Sequence, residues 1–194
     1  MVSLDSKLCA KAGILASAVM FVVYFICLAV NASHWSIHNS ISDFGYTEES
    51  STVVLFIGAC VVSGLLLILS GYGRFLYGGT KYIRFGGLFV SFSGLGLILV
   101  GVVSKTFNDT FHQICTMLFI ILFVVAILLT CIQDLMDGDR RFSIGFGILA
   151  IFAGFAIIVG YIPYFVLESV LMGYVFFWYI CKCFAVLKET PSDA

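Results

Sequence analysis

The chain has 194 residues, of which 61% are hydrophobic and only 11% charged, and its formal net charge is -1. Soluble domains carry roughly a quarter charged residues, so this composition excludes a soluble globular fold. A near-neutral chain without a basic stripe also gives nucleic acid nothing to bind.

Six apolar runs are each long enough for a spanning helix of about 20 residues. They cover approximately Gly13 to Val30, Ser51 to Ser70, Phe85 to Val103, Phe111 to Cys131, Phe142 to Tyr161 and Tyr164 to Leu187. Little length is left over, which predicts one all-α domain over 1–194, a polytopic integral membrane bundle of six transmembrane helices. No small-residue cleavage site follows the first run, so it is expected to be retained rather than removed as a signal peptide. Lys and Arg resist translocation. Nine of the ten basic residues (Lys7, Lys11, Arg74, Lys81, Arg84, Arg140, Arg141, Lys182 and Lys188) fall on one side, with Lys105 alone on the other. Both termini are therefore expected in the cytoplasm.

The loop after the first run carries His34 and His38, four residues apart, so on a helical turn the two imidazoles share a face. Together with His112, which opens the fourth run at the same membrane level, they are candidate ligands for a divalent metal such as zinc. Asp43, Glu48, Glu49 and Asp109 add carboxylates on this exterior side. Two glycosylation sequons, Asn31-Ala-Ser33 and Asn108-Asp-Thr110, sit too close to helix ends for modification and read as chance matches. The seven cysteines do not form a disulfide framework. Cys27, Cys60, Cys115 and Cys131 lie in apolar runs, while Cys9, Cys181 and Cys183 adjoin the expected cytoplasmic face.

Gly87, Ser91, Gly94 and Gly101 lie near one side of the third run, and Gly147, Ala150 and Gly154 do the same in the fifth. Small residues let membrane helices approach closely, so both are expected to be inner helices. No internal repeat supports an inverted-repeat transporter. In the sixth run stands Glu168. A carboxylate inside a span costs a few kcal/mol and is a functional-site hypothesis by default, and its natural partner is His112, which is expected to face it directly or through one water or metal ion.

The stretch Ser40-Ile41-Ser42-Asp43-Phe44-Gly45, followed by Glu48, Glu49 and a new span, resembles the loop motif of the six-span autophagy-modulator and GPI-anchor-remodelling (DRAM/FRAG-type) membrane family and its prokaryotic relatives of unassigned function. In that family an isoleucine-serine-aspartate-x-glycine sequence precedes the second span. In the prokaryotic relatives a histidine opens the fourth span and an acid recurs in the last, and His112 and Glu168 occupy matching places. The prolines that the eukaryotic branch places before Glu48 or Glu49 are missing. The resemblance implies a site built from Ser42, Asp43, His112 and Glu168 at the exterior interface, with membrane lipids as the partner.

Three functions fit these residues. The first is a lipid-modifying hydrolase or transferase. In it a metal brings the pKa of a bound water to about 7, or a His-acid pair activates Ser42 or water. The second is a lipid-binding or scaffolding protein without chemistry. The third is a small channel or proton-coupled carrier, disfavoured because Glu168 stands alone deep in a span whereas relays need chains of ionisable groups.

Overall fold

Within a bilayer every backbone N–H needs a partner from the protein, so apolar spans are helical. The computed structural model describes residues 5–36, 39–138, 145–149 and 164–188. Its long helices are α1 (Ser6–Val30), α2 (Ser50–Tyr77), α3 (Lys81–Val102), α4 (Asp109–Met136) and α5 (Tyr164–Lys188), with a short 3-10 turn at Ile41–Tyr46. There is no strand among the described residues. All five long helices are long and apolar enough to cross a membrane. Their outward faces carry large apolar side chains such as Phe25, Val54 and Ile121, the surface lipid requires. Residues 145–149 are helical and fall in the fifth predicted span. The rest of that span, with Ala150 and Gly154, lies outside the described residues, as do Arg140 and Arg141.

The helices outrun the apolar segments because polar caps, not hydropathy, set their ends. Asp5 accepts the Lys7 N–H at 3.2 Å and starts α1 seven residues before Gly13. Asn108 accepts the Phe111 N–H at 2.9 Å and starts α4. At 28 residues, α4 is about 42 Å long at 1.5 Å per residue, longer than the roughly 30 Å hydrocarbon core, so its ends project into the interfaces.

Helices adjacent in sequence pack side by side from α1 to α4, and α5 lies against α1. The tightest contact is the antiparallel α2–α3 seam. A Cβ built on Gly71 would stand 2.5 Å from the Gly87 carbonyl oxygen, and one on Gly64 would stand 2.6 Å from that of Gly94. Two glycines seven residues apart on each helix thus face two on the other, and Ser91 Oγ donates to Ile68 O across the seam at 3.0 Å. The third run was expected to be a close-packed helix, and it is; the partner that fits it is α2. In the fifth run Gly147 faces open space among the described residues.

Polar bonds join the remaining helices. Ser63 donates to Ala16 O at 2.9 Å, Tyr179 to Ser70 Oγ at 2.8 Å, and Tyr24 meets Ser169 Oγ at 3.1 Å. The fully buried Phe123 ring sits edge-on to Phe119, Phe176, Trp178 and Tyr179, which locks α4 to α5. The bundle has two distinct ends. A cap end carries the 3-10 turn and Lys105, and a base carries the start of α1 and the end of α5, where Lys182 pairs with Asp134 of α4.

Candidate functional site

The loop after α1 is folded onto the bundle from its first residue. Asn31 ends α1 and is buried, its Nδ2 donating to Cys27 O at 2.8 Å and to Thr52 Oγ1 at 2.9 Å. The first sequon is therefore spent on joining α1 to α2, and Asn108 of the second is the α4 cap. α1 stops at Val30, so His34 lies exposed in a turn beyond its end. His38 itself lies outside the described residues. Trp35 stacks on Phe44 with ring centroids 4.0 Å apart, and Phe44 is fully buried against Phe56. This aromatic plug presses the 3-10 turn onto the end of the bundle.

Asp43 is the hub of that turn. Its Oδ1 accepts from Ser40 Oγ at 2.5 Å, from Lys105 Nζ at 2.6 Å and from the Tyr46 hydroxyl. Its Oδ2 accepts from the Ser40 N–H at 2.7 Å. Lys105 also donates to Ser40 Oγ at 2.7 Å, and Ser42 Oγ is 3.0 Å from Ser40 Oγ. Burial alone would raise the Asp43 carboxyl; the bonds from Lys105, Ser40 and Tyr46 outweigh it and hold the group at about 2. The same burial, together with the adjacent Asp43 charge, raises the Tyr46 hydroxyl. Sequence reasoning used Lys105 only to set orientation and missed it as the counterion of Asp43. Its isolation among the exterior residues was the available signal.

Glu168 enters from α5, and its Oε2 accepts the Ile41 N–H at 2.5 Å. Ile41 opens the 3-10 turn, where the first N–H groups lack partners within the helix, so Glu168 caps the turn from across the bundle. His112 is buried, but its Nδ1–H donates to Val103 O at 2.6 Å. Val103 ends α3, and its carbonyl is one of those a helix leaves free. His112 Nε2 has no partner among the described residues. His112 and Glu168, expected to meet directly or through one water or metal ion, share no hydrogen bond among the described residues; each bonds a backbone atom at a helix end.

Beneath the turn runs a cavity of about 70 Å³ between the five long helices, walled by side chains such as Met20, Phe56, Leu97 and Phe119, with Ser42, Glu168 and Thr116 its polar lining. No group of three His, Cys, Asp or Glu side chains comes together among the described residues. Asp43, Ser42, Ser40, Tyr46, Lys105 and Glu168 do come together, as one network that stiffens the cap. Among the described residues Ser42 has Ser40 as its side-chain partner, and no histidine reaches it.

The chain belongs to the DUF998 family, proteins of unknown function, whose profile matches residues 14–187. This corrects the resemblance to the autophagy-modulator and GPI-anchor-remodelling family. That likeness rested on the short motif around Asp43, the six-span layout and the places of His112 and Glu168, whereas the DUF998 profile itself matches residues 14–187. No curated protein and no solved structure matches the chain.

Proposed function

We propose that this DUF998 chain is a multi-pass membrane protein that binds membrane lipid without chemistry, its cap end folded shut over the bundle. The observation that carries this reading is how the polar groups of the cap are used. Asp43, Ser40 and Lys105 bond one another, and Glu168 Oε2 accepts the Ile41 N–H. The cavity below, at about 70 Å³, is less than half the ~150 Å³ of an apolar cavity that takes benzene. It suits the end of an acyl chain and is too small for a head group undergoing hydrolysis.

A six-span arrangement with cytoplasmic termini belongs to the same proposal. α4 runs to the base, where Asp134 meets Lys182, and α5 begins at the cap, where Glu168 meets Ile41. A sixth span over the apolar run Phe142 to Tyr161 fits these two ends. The nine-to-one split of Lys and Arg supports a base that faces the cytoplasm.

The test is turnover in phospholipid nanodiscs, with released head groups and fatty acids followed by mass spectrometry and retained lipid followed by native mass spectrometry. The expected result is retained lipid and no product. Product formation that disappears in Ser42→Ala or Glu168→Gln would overturn the reading in favour of the enzyme.

A further inference from the structure

At the base, opposite the cap, lies a cavity of about 560 Å³ lined by Lys7, Ser70, Arg74, Thr130, Asp134 and Lys182, among others. Its volume falls in the roughly 300–1,000 Å³ range of small-molecule sites, eight times that of the cap-end cavity.

Arg74 stands in the last turn of α2. An arginine at the end of a membrane helix ordinarily extends its head to the interface. Arg74 instead turns inward. Its guanidinium carbon lies 6.0 Å from the Trp178 ring centroid and 5.9 Å from that of Tyr179, and both rings are buried. Cation–π contact at this distance leaves the guanidinium N–H groups to find acceptors. Nη2 reaches Thr130 Oγ1 at only 3.5 Å, and the buried Nε–H has no acceptor among the described residues.

The charge balance of the cavity has the same sign. Its lining carries three cations, Lys7, Arg74 and Lys182, against two carboxylates, Asp134 and Asp137, a net charge of +1; Asp134 is paired with Lys182, and Asp137 accepts from Gln133 Nε2 at 2.9 Å and keeps its charge. Neither Arg74 nor Lys7 forms an ion pair among the described residues. An uncompensated, partly buried guanidinium is costly unless something supplies the missing negative charge, and its planar fork matches two oxygens of a phosphate.

We propose that the base cavity binds a phosphate-type oxyanion, anchored by the fork of Arg74 with Lys7 as the second cation. That oxyanion is either the phosphate of a membrane lipid or free phosphate. The site is at the opposite end from the cap, so its failure leaves the cap-end reading standing, and the reverse also holds.

Two measurements on the whole purified protein separate the sources. One is calorimetric titration with inorganic phosphate in detergent. The other is native mass spectrometry after exchange into nanodiscs of phosphatidic acid mixed with phosphatidylcholine. Arg74→Gln and Arg74→Lys are compared with the parent in both. The expected result is saturable binding of phosphate, or selective retention of phosphatidic acid, that Arg74→Gln abolishes and Arg74→Lys weakens by about tenfold or more, since an ammonium loses the bidentate geometry. Binding of phosphate assigns a soluble ligand; retention of phosphatidic acid alone assigns a lipid head group. Should Arg74→Gln fail to fold, Arg74→Lys keeps the charge and decides. The proposal is overturned if the parent binds neither probe, or if Arg74→Lys binds as tightly as the parent.

Discussion

Replacing Asp43 by Asn removes a single charge, yet it attacks four hydrogen bonds at the hub of the cap. Oδ1 receives three donors and Oδ2 receives the Ser40 N–H. An amide offers one acceptor oxygen, so its NH2 must face either the Ser40 N–H or the Lys105 ammonium, donor against donor. The size of the loss follows from the carboxyl itself, which the folded cap holds at about 2 against an ordinary 3.8. At about 1.4 kcal/mol per pH unit, this corresponds to ~2–3 kcal/mol of cap stability at neutral pH. The folded value is the lower one, so the contribution is complete above about pH 4 and drains away as the pH falls toward about 2. Hydrogen exchange at the backbone amides of Ile41 to Tyr46 reads it directly. Asp43→Asn should speed exchange there by roughly 30- to 150-fold at neutral pH while leaving the amides of Phe119 to Ile127 unchanged, because local opening and global unfolding are separate events. Lys105→Met should produce much of the same effect, and the double variant should cost less than the sum, since each single change already breaks the shared pair. Parent-like protection in Asp43→Asn, or additive losses in the double variant, would refute the argument.

The α2–α3 seam makes a sharper contrast. Gly71→Ala places a methyl 2.5 Å from the Gly87 carbonyl oxygen, whereas Gly58→Ala meets nothing within 4 Å. Thermal denaturation should therefore find Gly71→Ala strongly destabilised and Gly58→Ala unchanged or up to about 1 kcal/mol more stable, and equal behaviour of the two would contradict the seam. Glu168→Ala leaves the Ile41 N–H without its acceptor, a loss of about 1–3 kcal/mol expected as faster exchange at Ile41, while Glu168→Gln, which keeps an oxygen, should preserve protection; identical exchange in both variants would show that the carboxylate does not cap the turn. For orientation, a cysteine placed at Glu48 should react with an impermeant reagent from outside the cell and one at Lys81 should not, and the opposite pattern would invert the topology.

Spanning helices were legible because a bilayer imposes a local rule, about 20 apolar residues in a row, that a chain obeys without reference to its neighbours. Helix ends followed a second local rule, capping, which moved the start of α1 from Gly13 to Ser6 through Asp5. The site was less legible because its bonds join residues far apart in sequence. Asp43 was visible as a carboxylate in a loop, but nothing near it names Lys105 as its partner. Residue type also misled at His112. An imidazole at the mouth of a span suggests a ligand, while here the ring completes the carbonyl end of α3, a backbone need that no side-chain pattern announces. The two lysine and arginine residues that matter most were both counted for orientation and then set aside. Lys105 was the exception to the charge split, and an exception of that kind persists when a partner holds it, as Asp43 does. Arg74 obeyed the split, so the count could not distinguish it from a solvated interface arginine. Only the fold shows it beside the Trp178 and Tyr179 rings, with its Nε–H lacking an acceptor among the described residues. A count of Lys and Arg reads only position along the chain, and burial is the observation that sets Arg74 apart from an interface arginine.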